Sequence, residues 1–329
     1  MPDATTPRPV AVVTGASSGI GRCTARLLGD RGWDLVLASR SVPVLQQVAQ
    51  ECTAGGGRAV VVPADVGDRG AVTALFARAV EEFGGVTAVV HTAGAVAYGR
   101  FEDIPPEVFD RAVTTNVVGT ANVARAALQA FRGQGGGSLV ITGSLLGKIA
   151  VPSMSPYVTG KWAVHALTRM IQLESRALDG VHVTLVSPDS VNTPAYSQAA
   201  NYARREGRPP PPVDPPEKVA RAIVRSLDRP RRERSVGLAN HVVVLGFRMV
   251  PAVYDAAVGP LMNVLGLSRR RTPDHPGNVF AARPAGEAER GWWDRWGRRT
   301  VPTAAVSPAD GDAAEPRPDS RPDSRPARP

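Results

Sequence analysis

Residues 9–21, Pro-Val-Ala-Val-Val-Thr-Gly-Ala-Ser-Ser-Gly-Ile-Gly, decide how this chain folds. The run over 9–14 is short, rich in valine and apolar without alternation, as a strand buried on both faces reads. Gly15, Gly19 and Gly21 follow directly, and a helical stretch over 19–31 opens behind them. Glycines there permit a tight turn and a close approach of main chain to a pyrophosphate. The helix N-terminus then offers free N–H groups to that anion. Strand, Gly-rich loop and helix in this order mark a dinucleotide cradle made of Gly15, Ser17, Ser18, Gly19, Ile20 and Gly21.

The same alternation continues outward. Short apolar runs over 34–38, 58–62, 86–91, 138–142 and 181–186 are separated by helical stretches over 43–54, 68–83, 107–132 and 156–178. Such βαβ alternation predicts an α/β fold, a doubly wound parallel sheet with helices on both faces. Beyond 187 the pattern changes. Residues 188–216 are rich in proline and read mostly as loop. A helix over 216–228 and a strand over 232–237 follow. An apolar segment over 241–267 has helical spacing interrupted by Pro251 and Pro260. The expected organisation is a flexible 1–7, a single main domain over 8–239, a partly helical extension over 240–299 and a disordered tail over 300–329.

Composition narrows the function classes. The formal charge is +9, and residues 201–329 hold 23 basic against 15 acidic side chains, so the excess lies in the C-terminal third. No helix-turn-helix, zinc-finger or RNA-binding signature accompanies it, which argues against a nucleic-acid partner. The two cysteines, Cys23 and Cys52, have no metal or redox spacing, and no metal site is expected. No secretory signal or membrane-spanning run is apparent, and a cytoplasmic location is expected.

The second strand ends in Ala38-Ser39-Arg40. An acidic residue there would hold ribose hydroxyls. Serine with a following guanidinium suits a 2′-phosphate instead, so NADP(H) is favoured over NAD(H). The fifth strand ends at Thr142-Gly143-Ser144, which places Ser144 beyond the carboxyl edge of the sheet, where ligands bind. Tyr157 and Lys161 stand four residues apart on a helix and share a face. Lysine is scarce, at three among 39 basic residues, and an ammonium approaches a sugar hydroxyl and a phenol more closely than a guanidinium does.

Together these residues resemble the short-chain dehydrogenase/reductase family, whose members are Rossmann-fold NAD(P)-dependent oxidoreductases acting on CH–OH donors. The likeness covers about residues 8–239. It places the family's catalytic Asn, Ser, Tyr and Lys on Asn116, Ser144, Tyr157 and Lys161, and its adenine-contacting Asp on Asp65, beside Val66. Its Asn-Asn-Ala-Gly segment becomes His91-Thr92-Ala93-Gly94, with both Asn replaced. Its cofactor contacts after the sixth strand fall on Pro188, Val191 and Thr193, with Asp189 where glycine is usual. The resemblance implies Tyr157 as general acid/base and Lys161 as the charge that lowers the phenol's pKa and holds the nicotinamide ribose. Ser144 would bind the substrate oxygen, and Asn116 would hold a water that links Lys161 to solvent. It also implies a small-molecule carbonyl or alcohol substrate and a homodimer or homotetramer.

His91 and His165 read as structural, and Tyr196 and Tyr202 as candidate substrate contacts. The extension, with Arg269 to Arg271 and Trp292, Trp293 and Trp296, reads as a cover over the crevice or a subunit contact. A peripheral membrane contact through 240–299 is the less favoured reading. A non-catalytic dinucleotide sensor or scaffold is the alternative to the enzyme.

Overall fold

The computed structural model describes residues 8–237 and 239–300. The N-terminus 1–7 and, apart from Thr300, the tail over 300–329 lie outside the described residues. Seven parallel strands form the central sheet: β1 (Val10–Thr14), β2 (Asp34–Ser39), β3 (Ala59–Pro63), β4 (Ala88–His91), β5 (Gly137–Thr142), β6 (Val181–Pro188) and β7 (Glu233–Val236). Their spatial order is β7-β6-β5-β4-β1-β2-β3. The direction of travel reverses between β1 and β4, which opens a crevice beyond their carboxyl ends. Register brings those ends into line: Thr14 pairs with Ala38 and with His91, and His91 pairs with Ile141.

The strands are buried on both faces because helices cover both. On one face Ala11, Val13, Leu35 and Leu37 pack with α1 (Gly19–Asp30), α2 (Val42–Cys52) and α7 (Pro216–Asp228). On the other Val12, Val36, Val89 and Leu139 meet α3 (Arg69–Phe83), α5 (Gly119–Gln134) and α6 (Ser155–Glu174). Local chemistry sets several boundaries. The Asp68 carboxylate accepts the N–H groups of Gly70 and Ala71 at the start of α3. Gly84 ends that helix in the left-handed region at φ 79°.

Two regions differ from the sequence-based expectation. The helix expected over 107–132 is α4 (Pro106–Val113), a π-turn over Thr114–Val118, and then α5. Its cause is tertiary: Asn116 in the π-turn is pulled toward Ala95. The proline-rich 188–216 also holds structure. A short helix, Ala195–Gln198, precedes two-residue pairing of Ala97–Tyr98 with Ala200–Asn201. Strand Arg205–Gly207 pairs with Leu267–Arg271 of the extension. The apolar segment forms α8 (Ala239–Met249) and α9 (Pro251–Leu261), parted at Pro251.

Candidate active site

The crevice is a cavity of about 500 Å³ that runs from the Gly-rich loop to Tyr157. The loop has the shape of a cradle. A Cβ on Gly21 would lie 2.1 Å from the Gly15 carbonyl, and one on Gly15 would lie 2.7 Å from the Ala93 nitrogen. Gly19 sits at φ +53°, where a side chain would be strained. The Thr115 and Thr142 side chains line the cavity and hold buried hydroxyl oxygens with no partner. The cradle and these orphaned hydroxyls fit a dinucleotide, which would find room at the glycines and polar partners in Thr115 and Thr142.

Every catalytic or cofactor residue expected from the sequence lines this cavity except Asn116. Ser17, Ser18, Ile20, Val66, Thr92, Ala93, Gly94, Pro188, Val191 and Thr193 are among its walls. Thr92, in place of asparagine, donates its hydroxyl to the Thr14 carbonyl at 2.7 Å and so ties β4 to the loop. The Asp65 carboxylate accepts the Gly67 N–H at 2.9 Å and pairs with Arg111. Asp189 packs on Gly237, where a Cβ would lie 2.1 Å from its carboxylate oxygen, so a glycine makes room for this departure. Tyr196 lines the cavity; Tyr202 instead packs with the cluster around Ile104. Tyr98, which the sequence reading passed over, is a fully buried wall residue; its two-residue strand is too short to carry a periodic signal.

Three polar side chains converge from two elements. Ser144 follows β5, and α6 presents Tyr157 and Lys161 one turn apart. Lys161 Nζ lies 5.6 Å from the centroid of the Tyr157 ring and donates to the Thr142 carbonyl at 2.8 Å. The Ser144 side chain lies beside the phenol, and its Oγ accepts the Leu146 N–H at 3.1 Å. His165, one further turn along α6, accepts the Ser144 main-chain N–H at 3.4 Å through Nε2 and so helps hold Ser144 in place.

Burial dominates the electrostatics. It raises the Tyr157 phenol above its usual value, and the Ser144 side chain beside it opposes the rise only in part. This is opposite to the direction expected from a neighbouring ammonium. Desolvation is large at this depth, and Lys161 turns its ammonium to the Thr142 carbonyl. The same burial lowers Lys161 to about 8 and His165 to about 4. A raised phenol remains protonated at neutral pH, which is the form a general acid requires.

Asn116 acts as a brace behind the site. Its Oδ1 accepts the Ala95 N–H at 3.0 Å and its Nδ2 donates to the Ala95 carbonyl at 2.8 Å. The side chain presses on Gly160, where a Cβ would lie 2.9 Å from it. The Thr120 hydroxyl donates to the Asn116 main-chain carbonyl at 2.6 Å. Thr120 then accepts from His91 Nε2 at 3.0 Å, and His91 Nδ1 accepts from Thr14 at 2.8 Å. Burial holds His91 neutral, with its pKa lowered to about 3. Asn116→Ala leaves both Ala95 groups buried and unpaired, so a loss of about 2–4 kcal/mol is expected. Urea unfolding of the variant reads it; an unchanged midpoint would contradict the brace.

The extension closes the cavity beside Gly19 and Arg40. The Gly19 N–H donates to the Ala288 carbonyl at 2.9 Å, and Arg40 donates to the carbonyls of Val279, at 3.0 Å, and Asn278. Asn278, Ala282 and Glu287 line the cavity there. Trp293 is buried and its N–H donates to Asn192 Oδ1 at 3.2 Å, whereas Trp296 is exposed. No local pattern announces these contacts, because their partners lie hundreds of residues away. Cys23 and Cys52 are free, buried thiols. Among the described residues no helix is long and apolar enough to cross a membrane.

The short chain dehydrogenase family model matches residues 9–203. The chain is 31% identical over 256 residues to the uncharacterized oxidoreductase YxnA of Bacillus subtilis, covering 77% of this chain and 72% of that one. It is 35% identical over 222 residues to an uncharacterized oxidoreductase of Staphylococcus aureus (strain USA300), covering 68% and 92%. Among solved structures it resembles an alcohol dehydrogenase from the archaeon Thermococcus sibiricus complexed with 5-hydroxy-NADP. That match has TM-score 0.62 and 29% identity, and covers 70% of this chain and 96% of the other. A short-chain type dehydrogenase/reductase from Mycobacterium marinum gives TM-score 0.62 at 27% identity, covering 71% and 95%.

Proposed function

This chain belongs to the short-chain dehydrogenase family of oxidoreductases, and on that premise we propose that it reduces a carbonyl compound, or oxidises the matching alcohol, with NADP(H). The observation that carries the reading is the convergence of Ser144, Tyr157 and Lys161 at one end of a cavity whose other end is a glycine cradle. The bound nicotinamide supplies or accepts the hydride. The chain's residues do the rest. Ser144 donates to the substrate oxygen and stabilises the negative charge that grows there. Tyr157 delivers its phenolic proton to that oxygen in reduction and removes it in oxidation. Lys161 stabilises the phenolate left behind. Ser144 is itself steadied by His165, and the floor beneath Lys161 by Asn116.

Arg40 and Ser39 support NADP(H), as does the likeness to a protein complexed with an NADP analogue. Arg40 gives hydrogens to two carbonyls of the extension and has others for a 2′-phosphate. Arg40→Ala is expected to raise the Kd for NADPH about tenfold or more while that for NADH moves less. Fluorescence titration with both dinucleotides, beside a carbonyl and alcohol panel, tests this; equal weakening of both would count against the phosphate role. The free thiols suit a reducing compartment, so we place the protein in the cytoplasm. Exposed Met170 and Leu173 on α6 suit a homo-oligomer contact.

A further inference from the structure

The helical pair α8–α9 has two apolar faces. Its inner face belongs to the cavity, through Val243, Ala257 and Val258. That face is anchored: Phe247 packs edge-on against Trp162 at 6.2 Å and Tyr254 at 5.0 Å, and the Tyr254 hydroxyl donates to the Ala150 carbonyl at 2.6 Å. The outer face has no such cover among the described residues. Val242, Leu245, Met249, Val253, Leu261 and Val264 are 53–73% exposed. Contiguous apolar surface of this kind marks an interaction site. Leu261 belongs to both faces, so the cavity wall and the outer patch meet at one rim.

Charge indicates what covers the patch. Residues 241–271 contain Arg248, Arg269, Arg270 and Arg271 against one carboxylate, Asp255. Arg205 donates to the Asn263 carbonyl at 2.8 Å and Arg208 to the Leu265 carbonyl at 3.0 Å, which fixes two more guanidiniums beside Val264. The nearby Glu206 carboxylate pairs with Arg299 at 2.7 Å and with Arg270 at 3.9 Å, so it offsets one arginine of the rim and leaves the segment basic. A two-fold contact with a second copy would set this basic rim against itself. Anionic lipid headgroups complement it, and acyl chains take the apolar face. Each helix has 11 residues, too few to span a bilayer, so the pair lies in the interface plane.

We propose that the α8–α9 pair seats the protein on an anionic membrane surface, and that the cavity takes an uncharged, lipophilic carbonyl or alcohol from that bilayer. The substrate half of the proposal rests on the oxidoreductase reading; the membrane half stands without it. Beyond the reacting side chains the inner cavity is walled by Val96, Leu146, Ile149, Val151 and Met154. Its one basic group there, Arg208, is turned to the helix-end carbonyls. Such a wall suits an acyl chain or fused ring and offers nothing to a charged metabolite.

The experiment is flotation of the full chain with phosphatidylcholine vesicles, with and without phosphatidylglycerol, at low and high salt. Co-flotation is expected with phosphatidylglycerol, weaker by roughly tenfold or more without it or at high salt. The triple variant Val242→Ser, Leu245→Ser, Met249→Ser, shown by circular dichroism to be folded, should lose it. A second arm measures reduction of a long-chain alkanal held in the same vesicles. The triple variant should raise the apparent KM for it severalfold while leaving a short water-soluble aldehyde unaffected. Absence of flotation, flotation indifferent to salt and lipid charge, or a concentration-dependent dimer that the triple variant abolishes would each overturn the membrane proposal. An unchanged KM for the vesicle-held alkanal would overturn the substrate half. Flotation needs no turnover, so failure of the enzyme assignment and failure of membrane docking are separately visible.

Discussion

Tyr157→Phe is expected to lower kcat/KM for carbonyl reduction by about a thousandfold or more, and to leave NADPH affinity within about threefold. The substitution removes one oxygen and keeps the ring that lines the cavity. The cradle of Gly15, Gly19 and Gly21 lies at the far end and is untouched. What disappears, on the proposed mechanism, is the proton that Tyr157 gives to the substrate oxygen. Lys161 cannot replace it, because its ammonium is turned to the Thr142 carbonyl. Fluorescence titration measures the binding half of this expectation and steady-state NADPH oxidation the catalytic half. Full activity in the variant would remove Tyr157 from its role.

Lys161→Met has the second-largest effect, and its two consequences have opposite signs. Activity falls by about 10²–10³-fold, since the phenolate forms without a neighbouring positive charge. Stability at neutral pH rises. Lys161 is buried, and its pKa in the fold is about 8, against 10.5 when solvated. Below about 8 both states carry the charge, and the fold bears the cost of burying it. Between those values the unfolded state binds more protons, so stability climbs with pH until the fold no longer suffers. The penalty is on the order of 3 kcal/mol, less about 1 kcal/mol for the hydrogen bond to Thr142 that methionine cannot make. A net gain of about 2 kcal/mol at pH 7, fading by about pH 10, is therefore expected from unfolding curves across pH. Reduction by the wild type is expected to weaken as pH passes the Lys161 value of about 8, and this limb should be missing in the variant. A variant destabilised at every pH would contradict the burial argument.

Much of the fold was legible because parallel strands covered on both faces must be continuous apolar runs, and Val10–Thr14 is a clear case. Tyr157 and Lys161 were legible because a helix turns spacing into proximity. Other features depend on contacts that no local pattern encodes. The π-turn over Thr114–Val118 reads as ordinary helix until Asn116 finds Ala95 and Gly160. The Ala288 carbonyl reaches the Gly19 N–H from the far end of the chain. The direction of the Tyr157 shift depends on burial depth, and chemical neighbours alone suggested the reverse. Residues 200–201 and 205–207 form strands too short to show periodicity among prolines.

The central claim is hydride transfer to a carbonyl carbon with Tyr157 as the proton donor. Its most direct measurement uses NADPH deuterated at nicotinamide C4 with a panel of lipophilic aldehydes and ketones, followed by mass spectrometry of the products. The expected result is an alcohol carrying one deuterium at the carbinol carbon with the wild type and none above background with Tyr157→Phe. NADPH that binds to the wild type but yields no labelled alcohol across the panel would contradict the account.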